Sequence, residues 1–182
     1  MTKIAFIVFV IFSMIYNIAH SSPIKPADGP KNIADLMINQ EHTVPMVSEL
    51  NGKVNLVYFG FAGCGKTCPL ALSELNNLYH QIDSNQLVVM FVNIDPLSDH
   101  KDLQQYVAQF NSKFKVAYGT KQQIDKIGDR FYALFWPDSA TTYQHTDYIA
   151  LVNEKGQLES LYHLSQISEL AVEVKKRLLK TE

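Results

Sequence analysis

Hydrophobic positions divide the chain into segments with different periods. Two runs, at residues 54–59 and 87–94, are almost continuously apolar, which is typical of strands buried on both faces of a sheet. In three other segments the apolar residues recur at three- and four-residue spacing, which predicts helices at residues 70–79, 103–110 and 167–178. Strands and helices are therefore expected to alternate along the chain.

The other patterned segments indicate antiparallel structure. Residues 148–152 and 157–162 flank a Glu-Lys-Gly turn and predict a hairpin. Residues 32–47 alternate loosely and are broken by polar residues and a proline, which suits short strands or a hairpin ahead of the main fold. This succession predicts a small α/β domain, with a mixed central β-sheet flanked by helices and an N-terminal β-hairpin extension.

The N-terminal segment differs from the rest of the chain. A continuous apolar run at residues 4–15 is followed by a small-x-small pattern at residues 19–21. We interpret residues 1–21 as a secretory signal peptide or an N-terminal membrane anchor, residues 22–30 as a linker and residues 31–182 as the folded domain. Such a protein is expected to be exported and periplasmic, either soluble or anchored to the inner membrane by its N-terminal segment.

Composition excludes several classes of protein. The chain has 182 residues, enough for one domain with a sizeable core. Its 16 basic and 18 acidic residues include no long basic run, so nothing indicates a nucleic-acid partner. Two cysteines are too few for a disulfide-rich scaffold or for a four-ligand zinc site without other residue types.

The two cysteines lie together where the first strong strand meets the first helix. Cys64 and Cys68 occur in the segment Gly60-Phe-Ala-Gly-Cys-Gly-Lys-Thr-Cys-Pro69, and in a helical first turn their thiols would face one side. This spacing permits a disulfide or two thiolates on one metal ion. The helix N-terminus and Lys66 are expected to lower the thiol pKa values and favour thiolate. A purely structural disulfide would close a very short loop and constrain the unfolded chain little.

The same segment also matches a phosphate-binding loop. Gly60-x-x-x-x-Gly65-Lys66-Thr67 follows a strand and precedes a helix, as the pattern requires. Export would place such a loop where nucleoside triphosphates are scarce, and phosphate binding has no need of two cysteines. We therefore expect no nucleotide ligand.

A third metal ligand would have to come from elsewhere in the chain. His145 precedes the strand at residues 148–152 and follows a loop, residues 138–143, that could fold over the cysteine turn. Two thiolates and one imidazole suit Cu(I), and the same set can hold Cu(II) with an added water or carboxylate. The remaining histidines are most simply surface or capping residues: His20, His42, His80, His100 and His163.

Structural roles are expected for Asp95, Asp99 and Trp136. Asp95 is expected to end a strand and Asp99 to cap the helix that follows it. Trp136 lies in an aromatic run at residues 131–137, which we expect to form part of the core rather than a rim for a partner protein.

Four motifs together resemble the Sco/SenC family. In order, they are Leu56-Val-Tyr-Phe-Gly-Phe61, Cys64-x-x-x-Cys68-Pro69, Ile94-Asp95-Pro96-x-x-Asp99 and Tyr143-x-His145-Thr146, and the resemblance extends over residues 30–180. It implies a thioredoxin-like fold and a copper-binding protein that helps assemble the dinuclear copper centre of cytochrome c oxidase. It also implies that Cys64, Cys68 and His145 are the copper ligands. The implied partner is the copper-containing oxidase subunit or another copper or thiol protein.

Three residues depart from the usual pattern of that family. Gly65 stands where proline is usual, Lys66 where an acidic residue is frequent, and Gln144 where aspartate is common. A lysine beside the site adds positive charge to a cation-binding pocket while favouring thiolate. The alternative function therefore stays open: a thiol-disulfide oxidoreductase that uses Cys64 and Cys68 as a redox pair without a metal.

Overall fold

A computed structural model describes residues 22–39, 43–50, 52–65, 67–139 and 142–179. The expectations for residues 1–21, His42 and Lys66 fall outside these ranges. The strands are β1 (Lys31–Asn32), β2 (Met37–Asn39), β3 (Thr43–Pro45), β4 (Val54–Gly60), β5 (Leu87–Asn93), β6 (Lys115–Ala117), β7 (Phe135–Pro137), β8 (Tyr143–His145), β9 (Tyr148–Val152) and β10 (Gln157–His163). The helices are α1 (Met46–Leu50), α2 (Thr67–Ile82), α3 (His100–Ala108), α4 (Lys121–Phe131) and α5 (Ile167–Leu178), with a 3-10 turn at Leu164–Gln166.

Six strands form one mixed sheet in the order β1-β10-β9-β4-β5-β6. β4 runs parallel to β5, and β5 runs parallel to β6, whereas β9 is antiparallel to both β4 and β10. Every residue of the two central strands, β4 and β5, is buried, as their continuous apolar sequences predict. The predicted mixed α/β architecture is confirmed.

The sheet separates two apolar clusters because side chains alternate between its faces along each strand. Leu56, Tyr58 and Phe91 point to the face covered by α2, α3 and α5. Val57 and Phe59 point to the other face, which the N-terminal segment and α4 cover. The alternation places Tyr58 and Gly60 on the same face as the start of α2.

The N-terminal extension contains the expected hairpin, with β2 paired antiparallel to β3. Ahead of it, Ile24 forms an isolated antiparallel bridge with Leu161 of β10, through two backbone hydrogen bonds of 2.9 and 2.8 Å. A side-chain tie also joins this segment to α4. Arg130 donates two hydrogen bonds to the Asp35 carboxylate, at 2.8 and 3.1 Å, and Lys126 lies 3.0 Å from the same group.

We expect Asp35→Asn to reduce stability near neutral pH and to matter much less in acid. Hydrogen bonds from Arg130 hold the pKa of Asp35 at about 2, below its usual 3.8. A lowered carboxyl pKa stabilises the fold above about pH 4, and that contribution is lost as the pH falls through about 2. Because the carboxylate is half exposed, the effect should stay within the range of about 0–1 kcal/mol of surface ion pairs.

Urea unfolding of the native chain and the variant at pH 5 and pH 2 measures this difference. Asp129→Asn, an exposed change on α4, the helix that carries Arg130 and Lys126, is the control. An Asp35→Asn effect of equal size at both pH values would contradict the assignment.

The sequence analysis did not predict α1, α4, β6, β7 or β8, and one expectation about the core was wrong. The sequence analysis named no helix at Lys121–Phe131 and no strand at Tyr143–His145. The expectation that Trp136 lies in the core was wrong: it is 53% exposed, because it lies on β7, whose small hairpin with β8 stands outside the main sheet. The predicted cap is confirmed, since Asp99 accepts hydrogen bonds from the backbone N–H groups of Lys101 and Asp102.

Among the described residues, no helix has the length and apolar character needed to cross a bilayer.

Candidate metal centre

The cysteine turn follows directly from the end of β4. Cys64 lies in the loop and Cys68 in the first turn of α2. The Cys68 backbone N–H donates to the Cys64 sulfur at 3.3 Å, so one thiol caps the helix that carries the other. Cys64 is therefore in the loop rather than in a helical turn, yet the two sulfurs still face one site.

Gly60 makes room for the buried sulfur. A Cβ atom placed on Gly60 would lie 2.7 Å from the Cys68 sulfur and 2.9 Å from the Phe91 ring. Only a residue without a side chain lets Cys68 pack this closely against the end of β4. The packing of the Cys68 sulfur therefore explains why residue 60 is glycine. The phosphate-binding loop pattern, which Gly60 also matches, is not needed to explain it.

His145 reaches the cysteines from the last residue of β8. Its Nδ1 atom lies 3.1 Å from the Thr146 carbonyl oxygen, which can only accept a hydrogen bond. Nδ1 therefore carries the proton in that contact, and in a neutral ring Nε2 keeps its lone pair. Nε2 points at the sulfurs, 3.5 Å from Cys68 and 4.0 Å from Cys64.

The three donor atoms lie within 4.8 Å of one another. Bonds of about 2.3 Å to sulfur and about 2.0 Å to nitrogen, as in zinc sites, would put three ligands of one ion about 3.7–4.0 Å apart. Small side-chain rotations thus suffice for Cys64, Cys68 and His145 to hold a single ion. Two sulfurs and one imidazole are a soft donor set, and within the described residues this group lacks the fourth ligand typical of structural zinc.

The expectation that the helix N-terminus lowers the thiol pKa is wrong for Cys68. Its side chain is fully buried, and burial raises the thiol pKa, with Cys64 adding to the effect. Removing the thiolate from water costs more than the helix terminus and its backbone contacts return. Without a metal, the reduced Cys68 is therefore a protonated thiol.

One face of the site opens to solvent. Cys64 and His145 line a cleft of about 370 Å³, together with residues of the loop and of β8, whereas Cys68 lies beneath it. Cys64 is partly exposed, while Cys68 is buried. Asp147 also lines the cleft, and its carboxylate lies 3.9 Å from Nδ1 of His145.

Neighbouring side chains hold the strand that carries His145. The Tyr143 hydroxyl donates to Asp95 at 3.5 Å, and Asp95 also accepts from the Leu97 backbone N–H at 3.0 Å and the Ser98 hydroxyl at 2.8 Å. The Phe61 ring meets both the Tyr143 ring and the His145 ring edge-on. Asp95 thus fixes its own turn and the β8 strand, and it does not join the donor group.

The other described histidines stay apart from the sulfurs. His80 lies in the last turn of α2, His100 stacks on Tyr118 with ring centroids 3.6 Å apart, and His163 caps the 3-10 turn. Sequence reasoning missed two residues that contact the site, Gly60 and Tyr58. Period-two alternation along β4 places both on the face that meets α2, so that signal was present in the sequence.

Comparisons with known proteins agree with the fold and with the resemblance to the Sco/SenC family. A family model described as SCO1/SenC matches residues 35–180. The SCO2-like protein of Rickettsia typhi is 28% identical over 162 residues, covering 79% of this chain and 80% of that protein.

Solved structures show the same architecture. The copper-bound structure of ScoI from Arabidopsis thaliana has a TM-score of 0.71 at 22% identity and covers 84% of this chain and 98% of that one. BsSco, which is described as having a disulfide switch and as a member of the Sco family of cytochrome c oxidase assembly proteins, has a TM-score of 0.67 at 17% identity. That comparison covers 86% of this chain and 96% of BsSco.

Proposed function

The chain belongs to the SCO1/SenC family, and from this premise we propose that it is a copper metallochaperone. It carries one copper ion on Cys64, Cys68 and His145 and delivers it to the dinuclear copper centre of cytochrome c oxidase during assembly. The observation that carries the proposal is the convergence of two sulfurs and an imidazole nitrogen within 4.8 Å. The three come from the β4–α2 loop, α2 and β8.

The donor chemistry supports copper as the cargo. Thiolates prefer Cu(I), and the imidazole keeps the site able to hold Cu(II) when a water or carboxylate completes it. Asp147 is the nearest described carboxylate to the His145 ring, at 3.9 Å. Burial raises the pKa of the Cys68 thiol, so Cys68 keeps its proton in the empty site and releases it to solvent when copper binds.

The unequal exposure of the ligands suits transfer by ligand exchange. A recipient's thiol or imidazole can approach through the cleft, where it meets the partly exposed Cys64 first. Cys68 lies beneath the cleft and is the last protein ligand to let go. In such a transfer, donors from both proteins bind the same copper ion in an intermediate. The ion is therefore never released to water.

The partner and the location complete the proposal. The recipient is the copper-containing subunit of cytochrome c oxidase or another copper or thiol protein. The protein works outside the cytoplasm, in the periplasm, either soluble or held at the inner membrane by residues 1–21. Residues 31–182 form the copper-binding domain, and residues 22–30 link the two parts.

A second candidate function uses the same sulfurs without a metal. Cys64 is partly exposed and Cys68 buried behind it, the arrangement of an attacking and a resolving thiol. In a thiol-disulfide exchange, Cys64 attacks a partner's disulfide and Cys68 then displaces the partner. Two electrons pass to the partner, which leaves with two thiols, and a Cys64–Cys68 disulfide remains.

We expect His145→Ala to separate the two functions. The reduced native chain should hold one copper ion. The copper affinity of the variant should fall by more than the roughly 10–100-fold expected for removing a residue that only hydrogen-bonds to a ligand. Thiol-disulfide exchange should persist in the variant, since both sulfurs remain. Copper stoichiometry after dialysis against a competing chelator, with reduction of a disulfide substrate in parallel, gives both readouts.

His80→Ala is the matched control, because His80 is exposed at the end of α2 and lies outside the donor group. Copper retained by His145→Ala at the native affinity would remove His145 from the ligand set. A native reduced chain that holds no copper, but reduces disulfides, would leave the oxidoreductase as the function.

A further inference from the structure

An apolar groove lies beside the metal cleft, between the start of α2 and the 3-10 turn that follows β10. It has a volume of about 520 Å³, and most of the surface that lines it is apolar. Leu70 of α2 lines the groove and is 55% exposed, whereas Leu164 and Ile167 line it while packing against the core. A single exposed leucine is ordinary, but one that continues into a formed apolar groove indicates a binding surface.

The groove is continuous with the metal cleft. Thr67 and Asp147 line both of them. Leu70 follows Cys68 by two residues in α2, so the groove begins within one helical turn of this ligand, or about 5 Å along the helix axis. A protein segment that places a donor atom in the cleft can therefore reach the groove at the same time.

The charged residues at the edge of the groove are acidic. Glu74 and Asp147 line it, and no described lysine or arginine does. Glu74 is half-buried, yet it has no ion pair or hydrogen bond with any described residue. An unpaired carboxylate beside an apolar surface favours a lysine or arginine on the molecule that binds there.

We propose that this groove docks the protein that receives the copper, through an apolar side chain that lies two to four residues from one of the recipient's own copper ligands and is accompanied by a basic residue. The inference rests on the proposed copper function and deepens it, because it states how the recipient is recognised. An extended segment rises about 3.3 Å per residue, so this spacing spans roughly 7–13 Å. That length is enough to place the ligand in the cleft and the apolar side chain in the groove.

Docking in the groove acts on the complex between the two proteins and leaves the copper site itself unchanged. Neither Leu70 nor Glu74 belongs to the donor group of Cys64, Cys68 and His145. Loss of a groove contact should therefore raise the recipient concentration that gives half-maximal transfer. The affinity of the chain for copper, and the transfer rate at saturating recipient, should stay as they are.

The test uses the full-length chain loaded with Cu(I) and, as the recipient, the reduced, copper-free copper-binding domain of the oxidase subunit. The transfer rate is measured over a range of recipient concentrations, from the copper content of the two proteins after rapid separation. Leu70→Ser should raise the half-maximal concentration about tenfold, as for an apolar residue at the centre of an interface. Glu74→Gln should raise it by up to about fivefold and should weaken its dependence on ionic strength.

Val172→Ser is the matched control. Val172 is an apolar residue on α5 that is 67% exposed and lines neither the groove nor the cleft. This variant makes the same kind of change in a helix, and its transfer should match that of the native chain. Chelator competition should give the native Cu(I) affinity for all three variants.

The outcomes separate this inference from the proposed function. Half-maximal concentrations that are equal in Leu70→Ser, Val172→Ser and the native chain would overturn the docking groove and leave the copper function standing. A loss of Cu(I) affinity in Leu70→Ser would also overturn it, because the residue would then act on the metal site. A native chain that holds no copper, or passes none to the oxidase domain, would overturn the proposed function and this inference with it.

Discussion

Neither Cys64→Ala nor Cys68→Ala is expected to retain copper after dialysis, whereas the native reduced chain retains one ion. Each change removes one of three donors, and the remaining thiolate and imidazole cannot enclose the ion. The cost to the fold should differ between the two variants. Cys68 is fully buried, so its loss should destabilise the metal-free chain by about 0.5–1.5 kcal/mol, as for removing one buried methyl-sized group.

Copper content by atomic absorption and urea unfolding of the metal-free proteins measure both effects. Ser73→Ala, which removes a comparable atom from the exposed side of α2, should keep copper and stability. If either cysteine variant retained copper at native affinity while remaining folded, the ligand assignment would be wrong.

Gly60→Ala should impair the site without removing any ligand. The new Cβ would lie 2.7 Å from the Cys68 sulfur and 2.9 and 3.1 Å from two atoms of the Phe91 ring. Both neighbours are buried and cannot swing away, so either the sulfur or the strand must shift. We expect a loss of about 1–3 kcal/mol in the free energy of unfolding, the usual cost of overpacking. Copper affinity should fall about tenfold or more, because the sulfur is displaced.

Gly65→Ala is a closely matched control, because Gly65 lies five residues after Gly60, in the loop that follows β4. A Cβ on Gly65 meets no atom within 4 Å, so this variant should resemble the native chain in both stability and copper affinity. Urea unfolding and chelator competition on the two variants provide the comparison. Equal behaviour of Gly60→Ala and Gly65→Ala would show that the close approach of Gly60 to Cys68 is unimportant.

The long elements were predictable because their burial pattern is local. β4 and β5 are almost continuously apolar, with Asn55 and Asn93 as the polar exceptions, and α2 shows its buried face at helical spacing. Helix α4 was missed although Thr120 and Gln123 form a capping box in the structure and Ile124, Ile127 and Phe131 share one face. Its interior glycine weakened the helical pattern.

Gly128 has a tertiary reason that sequence alone does not show. A Cβ there would lie 2.6 Å from the Phe135 ring and 3.0 Å from the Ala133 carbonyl oxygen. Gly128 lowers the helix propensity of α4, but it allows β7 to pack closely against this helix. β7 and β8 have three residues each, too few to display a period, and their hairpin places Trp136 in solvent.

The candidate site was predictable in its members but not in its electrostatics. Cysteine spacing indicated the paired sulfurs, the position of His145 made it a candidate third ligand, and the family resemblance implied the full set, whose donor atoms lie within 4.8 Å of one another in the structure. The ionisation of Cys68 depends on burial under neighbouring elements, whereas the sequence shows only that a helix begins nearby. The direction of Nε2 likewise depends on a contact between His145 and the Thr146 carbonyl. The burial of Cys68 arises from packing between segments that are distant in the sequence, whereas the Thr146 contact depends on the local backbone conformation at the end of β8.

The bridge between Ile24 and Leu161 determines at which end of the sheet the N-terminal segment leaves the domain. Because the two segments are antiparallel, the chain ahead of Ile24 runs toward the His163 end of β10. His163 pairs with Tyr148, three residues after His145, so this end of the sheet is the one that bears the donor group. In a chain that kept residues 1–21 as a membrane anchor, the tether would therefore leave the domain at the end of the sheet that carries the donor group, and not at the opposite end.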